Sequence, residues 1–233
     1  MRGLEELGRR LREAAREAPH LRTFTERCLN SMRWGGSATL MVIDAALTST
    51  GLSYFTAVVP RVWAIKEELV DTGRLSSLSD LASADVDGLL RYWGHRRAWE
   101  VAKGVARALL SYPGPDDRSR LRAWASSSTL RAWRSDPVGS VKGVGLVTYQ
   151  YLRMMGGVDT TMPDRVVVGF LRRLSEGLEV SVPGGGEEFV EFVEASSPAL
   201  GMRPIEVTWL AWLVDSEGEK VLQGKYSRYL DLV

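Results

Sequence analysis

Two glycines and a lysine lie close together in Val141-Lys142-Gly143-Val144-Gly145, between two patterns typical of helices. Glycine tolerates positive φ, so the chain can reverse direction here within a few residues. A helix beginning after Gly145 would present unpaired backbone N–H groups at its positive end, which suits an anion. The segment predicts a phosphate-binding hairpin, with a plain tight turn as the alternative. The predicted phosphate-binding residues are Val141, Lys142, Gly143, Val144, Gly145 and Thr148.

A carboxylate opens the next helical pattern, in Met162-Pro163-Asp164. An aspartate after a proline at a helix start is a common N-cap, and this is the structural interpretation of Asp164. Asp164 can be an N-cap and have a chemical role at the same time. Asp159, in Val158-Asp159-Thr160-Thr161, is the competing acidic residue, and we expect it to order the turn through hydrogen bonds to backbone amides.

The hairpin and the aspartate together resemble the helix-hairpin-helix (HhH-GPD) DNA glycosylase superfamily. Residues 141–148 are similar to the family's hairpin, and Asp164 follows Gly145 by 19 positions, close to the family's spacing. Upstream, Leu78 to Leu90, Tyr92-Trp93-Gly94 and Arg97 to Leu110 resemble the stretch that precedes the hairpin. The resemblance covers roughly residues 38–174.

The resemblance implies a base-excision DNA glycosylase, which hydrolyses the N-glycosidic bond of a damaged or mismatched base flipped out of duplex DNA. Cleavage develops positive charge on the deoxyribose, and the Asp164 carboxylate would stabilise that charge, orient a water, or do both. The lyase members of the family have a lysine where this chain has Val147, so we expect a monofunctional enzyme; Lys142 is a lesser candidate nucleophile. Val166 and Gly169 replace a histidine and an arginine of the family. A non-catalytic DNA-binding or lesion-recognition protein is therefore the alternative, and a helical interaction scaffold the third.

Four side chains are candidates for a pocket around the flipped base: Tyr92, Trp93, Tyr149 and Gln150. Core packing is the alternative for each, since an aromatic side chain on a helix usually fills volume. The basic run of Arg91, His95, Arg96, Arg97 and Lys103 could follow a phosphate backbone or form a solvated helix face. Ser49 and Thr50 occupy the place of the family's wedge, which fills the gap left by the flipped base, although small residues suit that role poorly.

The elements that position these residues are predicted to be helices throughout. Apolar spacing predicts helices at 1–17, 38–47, about 54–69 with a kink or late start at Pro60, 98–110, 146–155 and 164–174, and two more beyond Gly186. Ser79 and Ser83 are expected to open short helices. An arginine-rich helical stretch with Trp124 and Trp133 is expected to reach Asp136-Pro137. The predicted fold is all-α, with two helical lobes and a cleft between them: 37–156, and 1–36 with 157–233.

Composition limits the remaining possibilities. The 233 residues are 45% hydrophobic, and the formal charge of +1 gives no global attraction to nucleic acid, so DNA affinity must come from local groups. The lone Cys28 excludes an internal disulfide, a four-cysteine zinc site and a cysteine-ligated iron–sulfur cluster within one chain. We expect no cofactor or metal, no membrane span, a monomer in the cytoplasm (nucleoid-associated if prokaryotic), and lesion-containing double-stranded DNA as the partner.

Overall fold

The computed structural model describes residues 2–216, 218–222, 224, 227–230 and 232. Within these ranges every regular element is helical and no strand is present, which confirms the all-α prediction. The α-helices are α1 (Arg2–Ala14), α2 (Leu21–Leu29), α3 (Ala38–Thr48), α4 (Val59–Ile65), α5 (Leu78–Ser83), α6 (Val86–Leu89), α7 (Arg96–Leu110), α8 (Asp117–Ser127), α9 (Leu146–Met155), α10 (Arg165–Leu174), α11 (Gly186–Leu200), α12 (Pro204–Val214) and α13 (Gly218–Leu222). Among the described residues, none of the helices combines the length and apolarity that a bilayer crossing requires.

Two enclosed helices organise the packing. Every residue of α3 from Ala38 to Leu47 is buried, because its sequence has no polar face; α4, α7, α8 and α9 all contact it. Helix α12 is similarly covered, with α2 and α10 against it, and α1 packs on α11. Both ends of the chain therefore contribute to the packing around α12. The predicted second lobe, 1–36 with 157–233, includes positions that lie outside the described residues.

The short helices before α7 begin at other residues than expected. Ser77, not Ser79, caps α5: its hydroxyl accepts from the Asp80 N–H at 3.0 Å, and the Asp80 carboxylate accepts from the Ser77 N–H at 2.9 Å. Ser83 ends α5, and Asp85 caps α6. A serine three residues before an aspartate forms a reciprocal capping box, which Ser79 and Ser83 lack.

Helix α8 ends before the arginine-rich pattern does. Its last serines donate hydrogen bonds back to carbonyls of the same helix, including Ser127 Oγ to the Ala123 oxygen at 3.0 Å, and this competes with further helix. Trp133 therefore lies in a series of turns over 131–140 rather than in the predicted helix. Pro60 is the second residue of α4, after a π-helical turn at Tyr54–Val58, so the predicted late start of that α-helix is confirmed.

A buried polar cluster joins distant parts of the chain. The Arg33 guanidinium and the Asp44 carboxylate are both fully buried, with Arg33 Nη2 3.4 Å from Asp44 Oδ2. The same carboxylate oxygen accepts from Tyr54 at 3.0 Å and from Tyr151 at 3.1 Å. The Trp34 indole Nε1–H donates to it as well, at 2.8 Å. We call Arg33, Trp34, Asp44, Tyr54 and Tyr151 the Asp44 cluster; composition and spacing gave no indication of it.

Candidate functional site

The glycine hairpin has the geometry that its sequence requires. Gly143 adopts a φ of +101°, and a Cβ there would lie 2.8 Å from Val101 Cγ2 and 3.3 Å from Arg97 Nε. Both its conformation and its close approach to α7 therefore demand glycine. Gly145 differs: its φ of −105° is ordinary, and an added Cβ would meet nothing within 4 Å. Its outer face is open.

Substitution of Gly143 by alanine should destabilise the fold. The left-handed backbone costs an L-residue about 1–2 kcal/mol, and the contact with Val101 adds to this. Gly169→Ala is the matched control, because Gly169 lies exposed within α10 and its new Cβ would have open space. That change should instead stabilise the fold by roughly 0.5–1 kcal/mol. Urea denaturation of both variants tests the opposite signs; a stable Gly143→Ala would contradict this account.

The amides of the hairpin divide into two groups. The Val141 N–H donates to the Val138 oxygen at 3.2 Å and the Val144 N–H donates to the Val141 oxygen at 2.9 Å, so both are used within the turn. The N–H groups of residues 145–148 have no acceptor among the described residues. They form the N-terminus of α9, where the helix dipole favours negative charge. The Val141 and Val144 amides, which the sequence predicted to bind phosphate, are therefore already occupied within the turn.

Asp164 has the capping role considered for it from the sequence. It is the N-cap of α10, since its Oδ1 accepts from the Val167 N–H at 2.7 Å. Its Oδ2 accepts from the Trp212 indole N–H at 2.6 Å, and the carboxylate lines a cavity. Burial raises the pKa of the Asp164 carboxyl to about 6, although both hydrogen bonds favour the charged form and oppose the rise.

One cavity of about 930 Å³ brings the hairpin and this carboxylate together. Its walls are the loop after α3 (Thr48 to Leu52), the hairpin and the start of α9 (Gly143 and Gly145 to Thr148), and the start of α10 (Pro163 to Val166). Trp212, Gly186, and His95 with the first turns of α7 complete it. The volume lies in the range of pockets that bind small molecules. Asp164 is its only acidic lining residue within the described part of the chain.

Positive charge surrounds this cavity. Arg97 and Arg165 line it, Lys142 lies on the hairpin, and all three side chains are exposed. None of them forms an ion pair with a described carboxylate. Arg96 of the predicted basic run is instead paired with Asp87. A nearly neutral chain thus has a local cationic surface at the free end of α9, which is the arrangement that attracts a polyanion.

Two of the predicted base-pocket residues do not reach the cavity. Tyr149 is fully buried, and its ring packs against Trp124, with centroids 5.5 Å apart. The Gln150 side chain is also fully buried and donates to Thr160 Oγ1 at 2.7 Å and to the Thr161 carbonyl at 2.9 Å. Neither side chain is free to contact a ligand. The core-packing alternative describes both, because α9 is covered on this face by neighbouring segments.

The other two predicted base-pocket residues line a second cavity. Tyr92 and Trp93 lie in its wall, and its volume is about 650 Å³. Leu52 and His95 line both cavities, so the two adjoin. Asp159, the competing carboxylate, lies at neither: it pairs with Arg203 at 2.8 Å and accepts from the Ile205 N–H at 3.3 Å, so its partners are at the start of α12 and not in its own turn.

The sequence did not identify two residues of the site. Trp212 belongs to an apolar pattern that predicts burial, and nothing in that pattern indicates a hydrogen bond to Asp164. Leu52 is 48% exposed at the tip of the loop that also contains Ser49 and Thr50. It is one of two large apolar side chains exposed in the described residues; the other is Met32.

Comparisons with known proteins give no assignment. No family model, curated protein or solved structure matches this chain.

Proposed function

We propose that the chain is a DNA glycosylase of the helix-hairpin-helix type, which hydrolyses the bond between deoxyribose and a damaged or mismatched base. The observation that carries the proposal is the position of the Asp164 carboxylate in one cavity with the free amides of α9. A phosphate bound at those amides would hold the adjoining sugar in the cavity. The fold that goes with this function has two helical lobes, 37–156 and the two chain ends, with the cavity between them.

Exposed cationic groups attract the DNA strand to this cavity. Arg97, Lys142 and Arg165 are exposed around the anion site, so they would contact successive phosphates without reading the base. Duplex affinity should then depend strongly on salt, because each neutralised phosphate releases counterions. The net charge of the whole chain, +1, is no obstacle to such local binding.

The chemistry follows from a single carboxylate. As the base leaves, the deoxyribose gains positive charge, and a partly buried carboxylate stabilises that charge more than an exposed one would. The described residues that line the cavity include no lysine, so a Schiff base is not favoured and water is the nucleophile. The product is abasic DNA with an intact strand.

The test is base release from a panel of duplexes, each containing one oxidised, alkylated or mismatched base. Abasic products are split with alkali and counted as strand breaks. We expect breaks for at least one lesion, and only after alkali treatment. Breaks that form without alkali would contradict hydrolysis by water, and no breaks for any lesion would favour the second function.

One observation favours a non-catalytic DNA-binding protein as the second candidate. Each oxygen of the Asp164 carboxylate already accepts one hydrogen bond, from Val167 and from Trp212, so the group has a complete structural role as a cap. Such a protein would bind duplex DNA in a salt-sensitive manner and release no base. The lesion panel separates the two functions.

The rate of base release should depend on the protonation of Asp164. With a pKa of about 6, the reactive carboxylate is the minor form in acid, so the single-turnover rate should rise about tenfold per pH unit below pH 6 and level off above it. Trp212→Phe removes a donor to the charged form and should shift the midpoint to higher pH. An unshifted midpoint in that variant would assign the titration to another group.

The raised pKa of Asp164 also makes the stability of the fold depend on pH. The folded pKa of Asp164, about 6, lies above the ordinary value of 3.8, so the folded state binds this proton more tightly than the unfolded chain. The contribution of this group to stability is complete below pH 4 and is lost as the pH rises through 6.

Leu52 is the side chain best placed to enter the base stack. It is exposed on a loop beside the cavity, and an apolar side chain can fill the gap that an everted base leaves. Leu52→Ala should slow single-turnover base release by roughly 5- to 150-fold, the rate equivalent of the 1–3 kcal/mol expected for a lost apolar contact. Met32→Ala, which shortens the other exposed apolar side chain, lines neither cavity and should have no effect. Equal effects of the two changes would remove Leu52 from this role.

A further inference from the structure

The segment that leads from α9 to Asp164 is irregular and yet largely buried. We call residues 159–163 the linker. Thr160 and Thr161 are fully buried, and Met162 is 1% exposed. No backbone group of the linker is hydrogen-bonded to another backbone group in the described part of the chain. Buried backbone groups need partners, so side chains must hold the linker in place.

The hydroxyl groups of the linker point away from α9. Thr160 Oγ1 donates to Glu194 Oε1 in α11 at 2.6 Å, and Thr161 Oγ1 lies 2.7 Å from Thr208 Oγ1 in α12. Gln150 alone connects the linker to α9 by hydrogen bonds between described residues. Its Nε2 donates to Thr160 Oγ1 at 2.7 Å and to the Thr161 carbonyl at 2.9 Å. Without these two bonds, the polar contacts of the linker would follow α11 and α12.

Arg153 determines the direction in which the Gln150 amide points. Its Nη1 donates to Gln150 Oε1 at 2.8 Å, so the amide oxygen faces the cation and the amide nitrogen faces the linker. Arg153 is only 8% exposed, and its Nε donates to Ser128 Oγ at 2.9 Å. From Gln150 the donors continue in the same direction through Thr160 to Glu194. Hydrogen bonds in such a chain strengthen one another.

Gln150 therefore joins the two parts of the candidate site. The free amides of residues 145–148 lie about one turn before it in α9, and Asp164 directly follows the linker. We infer that Gln150 is a positioning residue, whose amide holds the linker against α9 and so sets the distance between the Asp164 carboxylate and the free amides. The inference rests on the proposed function, in which a bound phosphate and the carboxylate act on one nucleotide.

The first test measures the surroundings of Asp164 without any substrate. A carbon NMR titration of the side-chain carboxyl gives its pKa, which burial raises to about 6 in the wild type. Gln150→Met keeps an unbranched side chain of similar length and removes both donors to the linker. The carboxyl should then become more exposed to water, and its pKa should fall to about 5 or below. Arg153→Met is the matched control: it introduces the same residue in α9, leaves both Gln150 donors in place and should not change this pKa.

The second test is single-turnover base release on the lesion found by the panel. Gln150→Met should slow release by roughly 10- to 100-fold, because a small misplacement of a reacting group costs that much. Duplex affinity should stay unchanged, since the free amides and the surrounding cations remain. Gln150→Glu keeps an acceptor for Arg153 but cannot donate to the linker as a carboxylate, and it should slow release similarly. Arg153→Met should keep the wild-type rate.

The outcomes separate positioning from a general contribution to the fold. A purely structural role would lower the urea midpoint of the variants and leave the pKa of Asp164 and the rate of the folded protein unchanged. An unchanged or raised pKa in Gln150→Met, or an equal loss of rate in Arg153→Met, would overturn the inference. If Gln150→Met does not fold, Gln150→Glu replaces it in the titration; its added negative charge alone would raise the pKa of Asp164, so a fall reports exposure. Because the titration needs no substrate, a lowered pKa together with failure of the lesion panel would reject only the glycosylase.

Discussion

Asp164→Asn should nearly abolish base release while leaving duplex binding intact. The amide cannot stabilise positive charge on the sugar or activate a water, and loss of such a group costs roughly 10²- to 10⁴-fold in rate. Asparagine is as good an N-cap as aspartate, so the Val167 N–H keeps its acceptor and α10 keeps its first turn. The measurement is single-turnover base release on the lesion found by the panel, alongside duplex affinity.

Two controls separate charge from geometry. An asparagine cannot accept at both positions, so the Trp212 N–H would lose its acceptor; Trp212→Phe removes that donor and measures the effect of the lost hydrogen bond alone. Asp159→Asn makes the same chemical change on a carboxylate that pairs with Arg203 away from the cavity. Only Asp164→Asn should nearly abolish base release. A wild-type rate in that variant would leave Asp164 as a cap and nothing more.

Asp44→Leu should cause the largest loss of stability. The change leaves the Arg33 guanidinium fully buried without its carboxylate, and removal of one partner from a buried ion pair costs about 3–5 kcal/mol. Tyr54, Tyr151 and Trp34 lose an acceptor at the same time. The measurement is the midpoint of urea unfolding, followed by circular dichroism.

The double variant Asp44→Leu/Arg33→Met tests the cause. Removing both charges leaves no unpaired ion in the core, so much of the lost stability should return. The difference between the double variant and the sum of the singles gives the coupling between the two groups. Additive losses would show that packing volume, rather than the buried charge, accounts for the effect.

Local sequence determines the ends of the helices near the site. Helix α9 has the bounds expected from Gly145 and Gly156, and α10 starts where Pro163-Asp164 predicted. These positions depend on glycine conformation and capping, which involve only a few neighbouring residues. The same logic applied to Ser79 failed, because Ser77 has an aspartate three residues later and Ser79 does not.

The residues that line the cavities could not be predicted from local sequence. Periodicity identifies the apolar face of α9, but it does not reveal that Thr160 and Thr161 cover Gln150. Nor does it distinguish Leu52, which is exposed, from the buried leucines around it. Both facts depend on segments far apart in sequence. The same is true of Trp212, whose contact with Asp164 spans 48 positions.

The Asp44 cluster has a consequence for how the chain folds during synthesis. The Arg33 guanidinium lies 4.6 Å from the centre of the Trp209 ring, so a residue made early is covered by one made about 176 positions later. Until α12 leaves the ribosome, that cation lacks the ring that covers it. We expect nascent chains that stop before Trp209 to be readily cut by proteases, and the protected state to form in one step once that helix is released.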